Sequence, residues 1–584
     1  MDPEEKARQI IDAKLKSAGW TVQDRAEIDL TASQGIAVRE FSLKPGHGEA
    51  DYLLYVDRKV IGVVEAKPVG HTLTGVEPQS ARYSEGLPDD LPAYHRPLPF
   101  LYESTGEETQ FTNGLDPDAR SRDVFHFHTP TTLLEFAESE MQLRGRLRQI
   151  PELDPTGLWV AQIKAIENLE QSHAHGRPRA LIQMATGSGK TFAAANFVYR
   201  LIKHADARRV LFLVDRGNLG IQAEKEFRQF YPTDAGLGFG DIYNIQRLTT
   251  NSIGTVNRVV ITTVQRLCSM LRGDVDFDSA NEQGSLFDSA QPFNAPPAPI
   301  EYNPNIPISM FDFIVVDECH RSIYNLWRQV LEYFDAFLIG LTATPSKQTI
   351  GYFKRNLVME YGHAEAVADG VNVNYDVYTI KTKITDSGST VESGTFVDKR
   401  NRITRRVRYE QLDDDLTYTA SALDRDVVAE DQIRTVIQTF RDKLPEIFPG
   451  RTEVPKTLIF AKDDSHAEDI VKTIREEFGK GNDFCQKITY RTGFIRVEKT
   501  VRDDDGTERQ VATYEKLSNL SPEDVLTAFR LSYNPRIAVT VDMVATGTDV
   551  KPLEIVMFMR AVKSRTFFEQ MKGRGVRVVS STEL

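Results

Sequence analysis

The sequence predicts a multidomain α/β protein, on three observations. Its 584 residues, at about 150 residues per domain, correspond to roughly three or four separate cores. Short apolar runs alternate with helical patterns over 151–350 and again over 431–584, as in a parallel sheet covered on both faces. One of those runs passes through a glycine-containing loop directly into a helix, a connection suited to phosphate. Hydrophobic residues make up 40% and charged residues 27%, which excludes a mainly disordered, collagenous or disulfide-built chain. No run of about 18 apolar residues occurs, so no membrane-spanning helix and no membrane partner are expected. Cys268, Cys319 and Cys485 lie far apart, without metal or disulfide spacing, and a cytoplasmic location is the expectation. The net charge of −13 argues against a surface coated with nucleic acid. It leaves room for a local basic channel.

Four regions follow in order. Residues 1–150 open with a helical stretch from Pro3 to Ala18, stopped at Gly19, followed by apolar strands and a Pro- and Gly-rich run over about 68–130. Residues 151–350 carry the strands RALIQM (179–184), RVLFLV (209–214), RVVIT (258–262), FIVVD (313–317) and FLIGLTA (337–343). Within this region, 273–310 is rich in Pro, Asn, Ser and Asp and reads as a surface excursion between two strands. Residues 351–430 form a β-rich connecting segment, with YDVYTIKTKIT at 375–385. Residues 431–584 return to alternation, with TLIFA (457–461), IAVTVDM (537–543) and IVMFM (555–559), and DDDGTERQ (503–510) as a charged hairpin tip. No internal repeat of 20–50 residues is present.

The chemistry begins at Met184-Ala-Thr186-Gly187-Ser188-Gly189-Lys190-Thr191. Small residues let backbone N–H groups face phosphates at a helix N-terminus. Lys190 would offset β/γ charge and Thr191 would ligate Mg2+. Met184 stands where such loops usually have their first glycine. FIVVD places Asp317 and Glu318 at the C-terminal edge of the sheet, where open α/β sheets bind ligands. Asp317 suits Mg2+ through water, and Glu318 suits polarising an attacking water. A strand neighbouring the loop's own strand is the expected carrier.

A second constellation lies near the N-terminus: Asp51, Asp57-Arg58-Lys59, then Glu65-Ala66-Lys67. If residues 57–59 form a three-residue turn, Val56 faces Val60 and Asp51 faces Glu65. Glu65 and Lys67 then share one face with Asp51. Two carboxylates can bind Mg2+, and Lys67 can orient an attacking water. A surface hairpin with scattered charges is the plain alternative. Charges within such apolar strands (YLLYV, VIGVV) are costly without a partner or metal.

These motifs carry a resemblance. The D…E-x-K pattern resembles the PD-(D/E)xK nucleases, and Gln79 and Tyr83 match the Q-x-x-x-Y element that accompanies them in restriction motor subunits. In some related nucleases a helical glutamate near the start, here Glu4 or Glu5, completes the metal site; the sequence does not choose between them, and a solvated helix start is the favoured reading. The loop, DECH and TATP (342–345) are similar to a superfamily 2 helicase or translocase, with two RecA-like lobes and ATP between them. Gln162 corresponds to an adenine-reading glutamine. VDMVATGTD (541–549) is similar to the fifth helicase motif, with Gly547 and Asp549. FFEQMKGRGVR (567–577) is similar to the sixth, with Gln570, Arg574 and Arg577. The two arginines, three residues apart, would act as arginine fingers. The whole chain resembles the motor (restriction) subunit of type I restriction enzymes. The domains implied are a nuclease over 1–150, a first RecA-like lobe over 151–350, a connecting segment over 351–430 and a second lobe over 431–584.

The resemblance implies ATP-driven translocation of double-stranded DNA with cleavage away from the recognised site. It also implies methyltransferase and specificity subunits as partners. A type III restriction or repair helicase–nuclease is the alternative, as is an ATP-switched DNA clamp that neither pumps nor cuts. DNA backbone contacts are expected from the basic run 399–408 (KRNRITRRVR), with Arg400, Arg402, Arg405 and Arg406. Pairing of that run with the acidic residues 413–415 is the alternative. Thr263, Arg266 and 216–222 are further backbone candidates. His320 is expected to couple motifs rather than bind zinc, Trp159 to pack, and His126 and His128 to mark a surface strand. Arg577 stands seven residues before Leu584, and a RecA-like lobe in this resemblance continues further. The expectation is a truncated length lacking a partner-binding tail.

Overall fold

The computed structural model describes residues 3–73, 82–278, 282, 299–321, 326–380, 389–391, 396–400, 407–411, 416–418, 430–489, 492, 494–502, 508–516, 521–541, 550, 552–560, 562, 565–576 and 578. Two compact units result, Met1–Gly362 and His363–Leu584. The first holds two seven-stranded sheets.

The first sheet runs in chain order: β1 (Thr21–Gln23), β2 (Gly35–Ser42), β3 (Glu49–Val56), β4 (Lys59–Ala66), β5 (Phe100–Ser104), β6 (Thr109–Asn113) and β7 (Arg122–Asp123). The helix Pro3–Ser17 buries Ile11 and Leu15 on one face, beside Tyr52, Leu54, Tyr102 and Phe111. Tyr83 and Leu87 cover the other face, over Leu53, Val63 and Leu101. The β3–β4 turn differs from the expected three-residue turn. Only Asp57 and Arg58 form it, with φ of 44° and 66°, and Val56 pairs with Lys59. Two-residue turns with positive φ match the right-handed twist of hairpin strands. A bulge then skips Ile61, so Leu54 pairs with Gly62 and Tyr52 with Val64. The extra residue restores the register that sets Asp51 opposite Glu65.

The second sheet is wholly parallel, in the order β10-β11-β9-β12-β13-β8-β14. Its strands are β8 (Arg179–Met184), β9 (Val210–Val214), β10 (Ile245–Arg247), β11 (Val259–Thr263), β12 (Phe313–Val316), β13 (Phe337–Thr342) and β14 (Leu357–Tyr361). The central strands are apolar throughout because helices cover both faces. β14 carries this sheet past residue 350, to Tyr361. One hydrophobic core runs continuously from Tyr102 and Phe111 of the first sheet to Leu211 and Ile314 of the second. His126 and His128 lie within this junction and are buried, which corrects the surface-strand expectation. His126 stacks on Tyr302 with ring centroids 3.8 Å apart. His128 pairs with Tyr102 OH at 2.7 Å and Asp335 at 3.0 Å.

The second unit centres on a parallel four-stranded sheet. Ahead of it in the chain lie two strand pairs, β15 (Ser389–Val391) with β18 (Leu416–Tyr418), and β16 (Phe396–Arg400) with β17 (Val407–Gln411). Residues 375–380 carry no strand, against expectation, and 381–385 lie outside the described residues. β19 (Thr457–Phe460), β20 (Cys485–Ile488), β23 (Ile537–Thr540) and β24 (Ile555–Phe558) form the sheet in the order β20-β23-β19-β24. Separate cores cover its faces, one around Ile459, Ile470 and Ile474, the other around Leu458, Phe460 and Phe529. β21 (Phe494–Arg502) and β22 (Glu508–Lys516) form an antiparallel hairpin that closes on the charged segment 503–507, itself outside the described residues. The chain is thus a multidomain α/β protein with RecA-like parallel-sheet lobes.

Candidate nucleotide and nuclease sites

At the end of β8 the chain turns through Ala185–Gly189 into the helix Lys190–His204. Gly187 and Gly189 have φ of 92° and 73°, where only glycine sits without strain. Ser188 is fully buried and donates its hydroxyl to Ala185 O at 2.7 Å. Lys190 Nζ donates to Met184 O at 3.3 Å. Met184 takes the place of a loop glycine without penalty because it is still the last strand residue, with its side chain in the core. Thr186 and Thr191 are half-buried on this loop and helix start. Gln162 sits in the first turn of the helix Val160–Ala174, accepts from Trp159 N at 3.0 Å and donates to Ser188 O at 3.2 Å. In this state it braces the loop. Trp159, expected to pack, is half-exposed instead because it caps that helix.

Asp317 and Glu318 follow β12, which corrects one expectation. β12 is not the neighbour of β8, because β13 lies between them. The residues after β13 (TATP) therefore fall between the glycine loop and the acidic pair at one sheet edge. His320 Nδ1 lies 3.0 Å from Thr342 Oγ1 and 3.5 Å from Glu318 Oε2. Thr342 Oγ1 also accepts from Thr344 N at 3.1 Å. Burial pushes the Asp317 carboxyl up, and the Glu318 charge adds to this, while Lys190 opposes it. Glu318 has φ of 49°, a strained backbone for a non-glycine residue of the kind concentrated at functional sites. A half-buried acid beside a glycine cradle and a lysine fits a polyphosphate with its divalent cation.

In the first sheet, Asp51 Oδ2 accepts from Ala66 N at 2.8 Å, and Oδ1 from Arg8 Nη2 at 2.7 Å. Lys67 Nζ donates to Glu65 Oε1 at 2.6 Å. Glu65 is 2% exposed, and its Oε2 has no hydrogen-bond partner among the described residues. Burial pushes its carboxyl up, the Lys67 hydrogen bond pulls it down, and the Asp51 charge raises it further. Asp51, Glu65 and Lys67 thus converge at one end of the β3–β4 pair. An orphaned buried carboxylate oxygen beside a second carboxylate fits a divalent cation. Among the described residues no group of three His, Cys, Asp or Glu is already gathered in metal-binding geometry; Lys67 and Arg8 each pair with one carboxylate of the site. Glu4 lies on the site side of its helix, with Oε1 3.5 Å from Arg8 Nη2, whereas Glu5 is exposed.

Two site neighbours not marked by the sequence pattern are Arg8 and Glu103. Glu103 is fully buried and is the register partner of Glu65 across β4–β5. An acid inside the apolar run FLYES was the available signal. Tyr83 is buried beside Leu53 and Leu101. Gln79 lies outside the described residues, as do Gly547, Asp549, Arg577, Arg402, Arg405, Arg406 and the acidic residues 413–415. Arg400 ends β16, and neighbouring Lys399 pairs with Arg408 of β17. Gln570 is buried in the helix Arg565–Lys572, and Arg574 follows that helix, half-buried. Among the described residues, no helix is long and apolar enough to cross a membrane.

The family model of the type III restriction enzyme res subunit matches residues 157–347. That of the second domain of the EcoKI type I endonuclease subunit matches 26–108. Over 98% of its length the chain is 27% identical to the EcoKI endonuclease subunit of Escherichia coli K12, covering 50% of that relative. Over 97% it is 25% identical to the EcoAI endonuclease subunit of Escherichia coli, covering 62%. A structure described as an HsdR-subunit fragment from Vibrio vulnificus YJ016 is 21% identical, with a TM-score of 0.46, over 99% of this chain and 90% of that one. Fold and matches together define a multidomain protein with a helicase-like nucleotide-binding domain. More narrowly, the chain is similar along nearly its whole length to type I restriction enzyme endonuclease subunits, and it spans between 50% and 62% of the length of the EcoKI and EcoAI relatives.

Proposed function

We propose that this chain is the motor and nuclease of a type I restriction assembly, translocating double-stranded DNA at the expense of ATP and cleaving it. The carrying observation is the coexistence in one compact unit of a glycine loop with an acidic pair and a separate Asp51–Glu65–Lys67 cluster with an orphaned buried oxygen. In the nucleotide site, the loop from Thr186 to Thr191 would cradle the phosphates, with Lys190 offsetting their charge. Thr191 and Asp317 would hold Mg2+, and Glu318 would orient the attacking water. The hydrogen bond between His320 and Thr342 supports a link from the acidic pair to the TATP segment. Arg574 and Arg577 are proposed as the catalytic arginines of the second unit, with Gln570, Gly547 and Asp549 completing its motifs.

In the nuclease site, Asp51 and Glu65 would hold Mg2+, which when bound acidifies water and offsets phosphate charge. Lys67 would orient the water, and Tyr83 and Gln79 would brace the site or the DNA. Methyltransferase and specificity subunits are the proposed partners. The test is ATP hydrolysis stimulated by duplex DNA, and DNA cleavage, in the complex assembled with those subunits. Lys190→Ala abolishes both activities. Glu65→Ala or Lys67→Ala abolishes cleavage and spares hydrolysis. Hydrolysis that survives Lys190→Ala refutes the motor assignment, and hydrolysis lost with Glu65→Ala refutes the separation of sites.

A further inference from the structure

Thr263 and Arg266, expected to touch the DNA backbone, are already engaged by an acidic side chain. Thr263 ends β11, caps the helix Val264–Leu271, and donates its hydroxyl to Glu282 Oε1 at 2.8 Å. Arg266 donates Nε to Glu282 Oε1 at 2.9 Å and Nη2 to Oε2 at 3.0 Å. Its Nη1 reaches Asn251 Oδ1 at 3.4 Å, and its guanidinium carbon lies 4.9 Å from the Phe277 ring centroid. The side chains of Arg266 and Glu282 are only 2% and 13% exposed. Gly217, in the first turn of the helix Gly217–Gln229, lies alongside, so that a Cβ there would be in ordinary contact with Glu282 Cβ at 3.5 Å.

A guanidinium fork beside a hydroxyl accepts a carboxylate or a phosphodiester with the same geometry. Glu282 comes from the excursion, whose residues 273–298 hold five acids and no lysine or arginine. Such a segment repels DNA while filling a site shaped for a phosphate. The helix it touches needs no help from it, since Thr263 already caps that helix and all eight helical residues are buried.

We propose that Glu282 is a built-in phosphate mimic that occupies the Thr263–Arg266 backbone site in the absence of DNA and is displaced by duplex. The inference rests on the motor reading above, since only a DNA-tracking lobe needs such a site. An internal competitor that fills a site about nine-tenths of the time weakens apparent affinity about tenfold. The test is anisotropy titration of the full chain with a fluorescein-labelled duplex of arbitrary sequence. Glu282→Ala binds about tenfold more tightly, Glu282→Gln binds more tightly by a smaller factor, and adding Arg266→Ala to either cancels the gain. Hydrogen exchange in the unmodified chain decides without any variant: exchange at 273–278 accelerates when duplex saturates the protein. Duplex binding with no gain in folded Glu282→Ala, or unchanged exchange at 273–278, overturns the mimic and leaves the motor intact. A chain that binds no duplex in any form overturns the motor reading and the mimic together.

Discussion

Asp335 sits in the junction between the two sheets of the first unit, in the turn that precedes β13. Its carboxylate accepts Nε and Nη2 of Arg122 at 2.7 and 2.8 Å and faces His128 Nε2 at 3.0 Å. Burial by itself would raise this carboxyl, but Arg122 and His128 hold it well below the usual carboxylate range. Asp335→Asn keeps the shape and one acceptor while removing the charge. Among the described residues the one carboxylate Arg122 then keeps is Asp116, at 3.7 Å and shared with Arg144, while its guanidinium carbon lies over the Phe111 ring, 4.8 Å from the centroid. Breaking one side of a buried pair costs about 3–5 kcal/mol, and the retained acceptor favours the lower end of that range, about 3 kcal/mol. Urea slopes exceed about 3 kcal/mol per M for a unit of this size, so the midpoint of the first unit should fall by roughly 0.5–1 M. Urea unfolding followed by tryptophan fluorescence, which includes Trp20 with its Nε1 bonded to His128 O at 2.9 Å, measures the shift. The double variant Arg122→Met with Asp335→Leu should recover most of the loss, because it leaves no buried charge unpaired. A fall below about 0.2 M for Asp335→Asn refutes the reasoning, as does a double variant less stable than the single.

Two further perturbations test other parts of the first unit. Gly189→Ala should reduce ATP affinity at least about tenfold in a fluorescent-nucleotide titration, since left-handed backbone costs a non-glycine residue roughly 1–2 kcal/mol. Its Cβ would also fall 2.3 Å from Gln162 Nε2; unchanged affinity would show that the loop does not hold the phosphates. His173 is fully buried against Phe313 and Phe337, and neither ring nitrogen has a hydrogen-bond partner among the described residues. Burial, helped by Arg144, pushes its imidazole down to about 3. The unfolded chain therefore binds a proton at His173 below about pH 6.5 while the folded chain does not, and stability falls as pH drops through that window. His173→Leu should remove this component, gaining on the parent protein by about 1.4 kcal/mol per pH unit from pH 6.5 downward. Parallel stability–pH curves for the two proteins would contradict the assignment.

Much of the candidate nucleotide site was legible in the sequence because it is local. A strand, a glycine loop and a helix follow one another within residues 179–204, and every backbone angle the loop needs is supplied by Gly187 and Gly189. Short apolar runs likewise marked eight strands of the two parallel sheets, since burial on both faces leaves little choice of composition, but β10, β14 and β20 went unmarked because they lie toward the sheet edges with polar residues among the apolar ones. The pairing of Asp51 with Glu65 was also reached, though through a turn that does not exist: the two-residue turn and the bulge at Ile61 together give the same register. Strand order was not legible. Nothing local in FIVVD or FLIGLTA states that β13 separates β12 from β8, and that order alone brings Thr342 to His320.

The sequence by itself determined the α/β class, the glycine loop between strand and helix, and the acidic positions, because periodicity and turn chemistry act over a few residues. The tertiary structure alone decided which distant groups share a desolvated space. Arg8 meets Asp51, Glu103 lies beside Glu65, and His128 and Arg122 meet Asp335 across the junction of two sheets. Glu282 returns from an acidic excursion to the guanidinium of Arg266. Each of these contacts withdraws at least one ionisable group from water, and its partner is set by chain topology rather than by spacing along the chain.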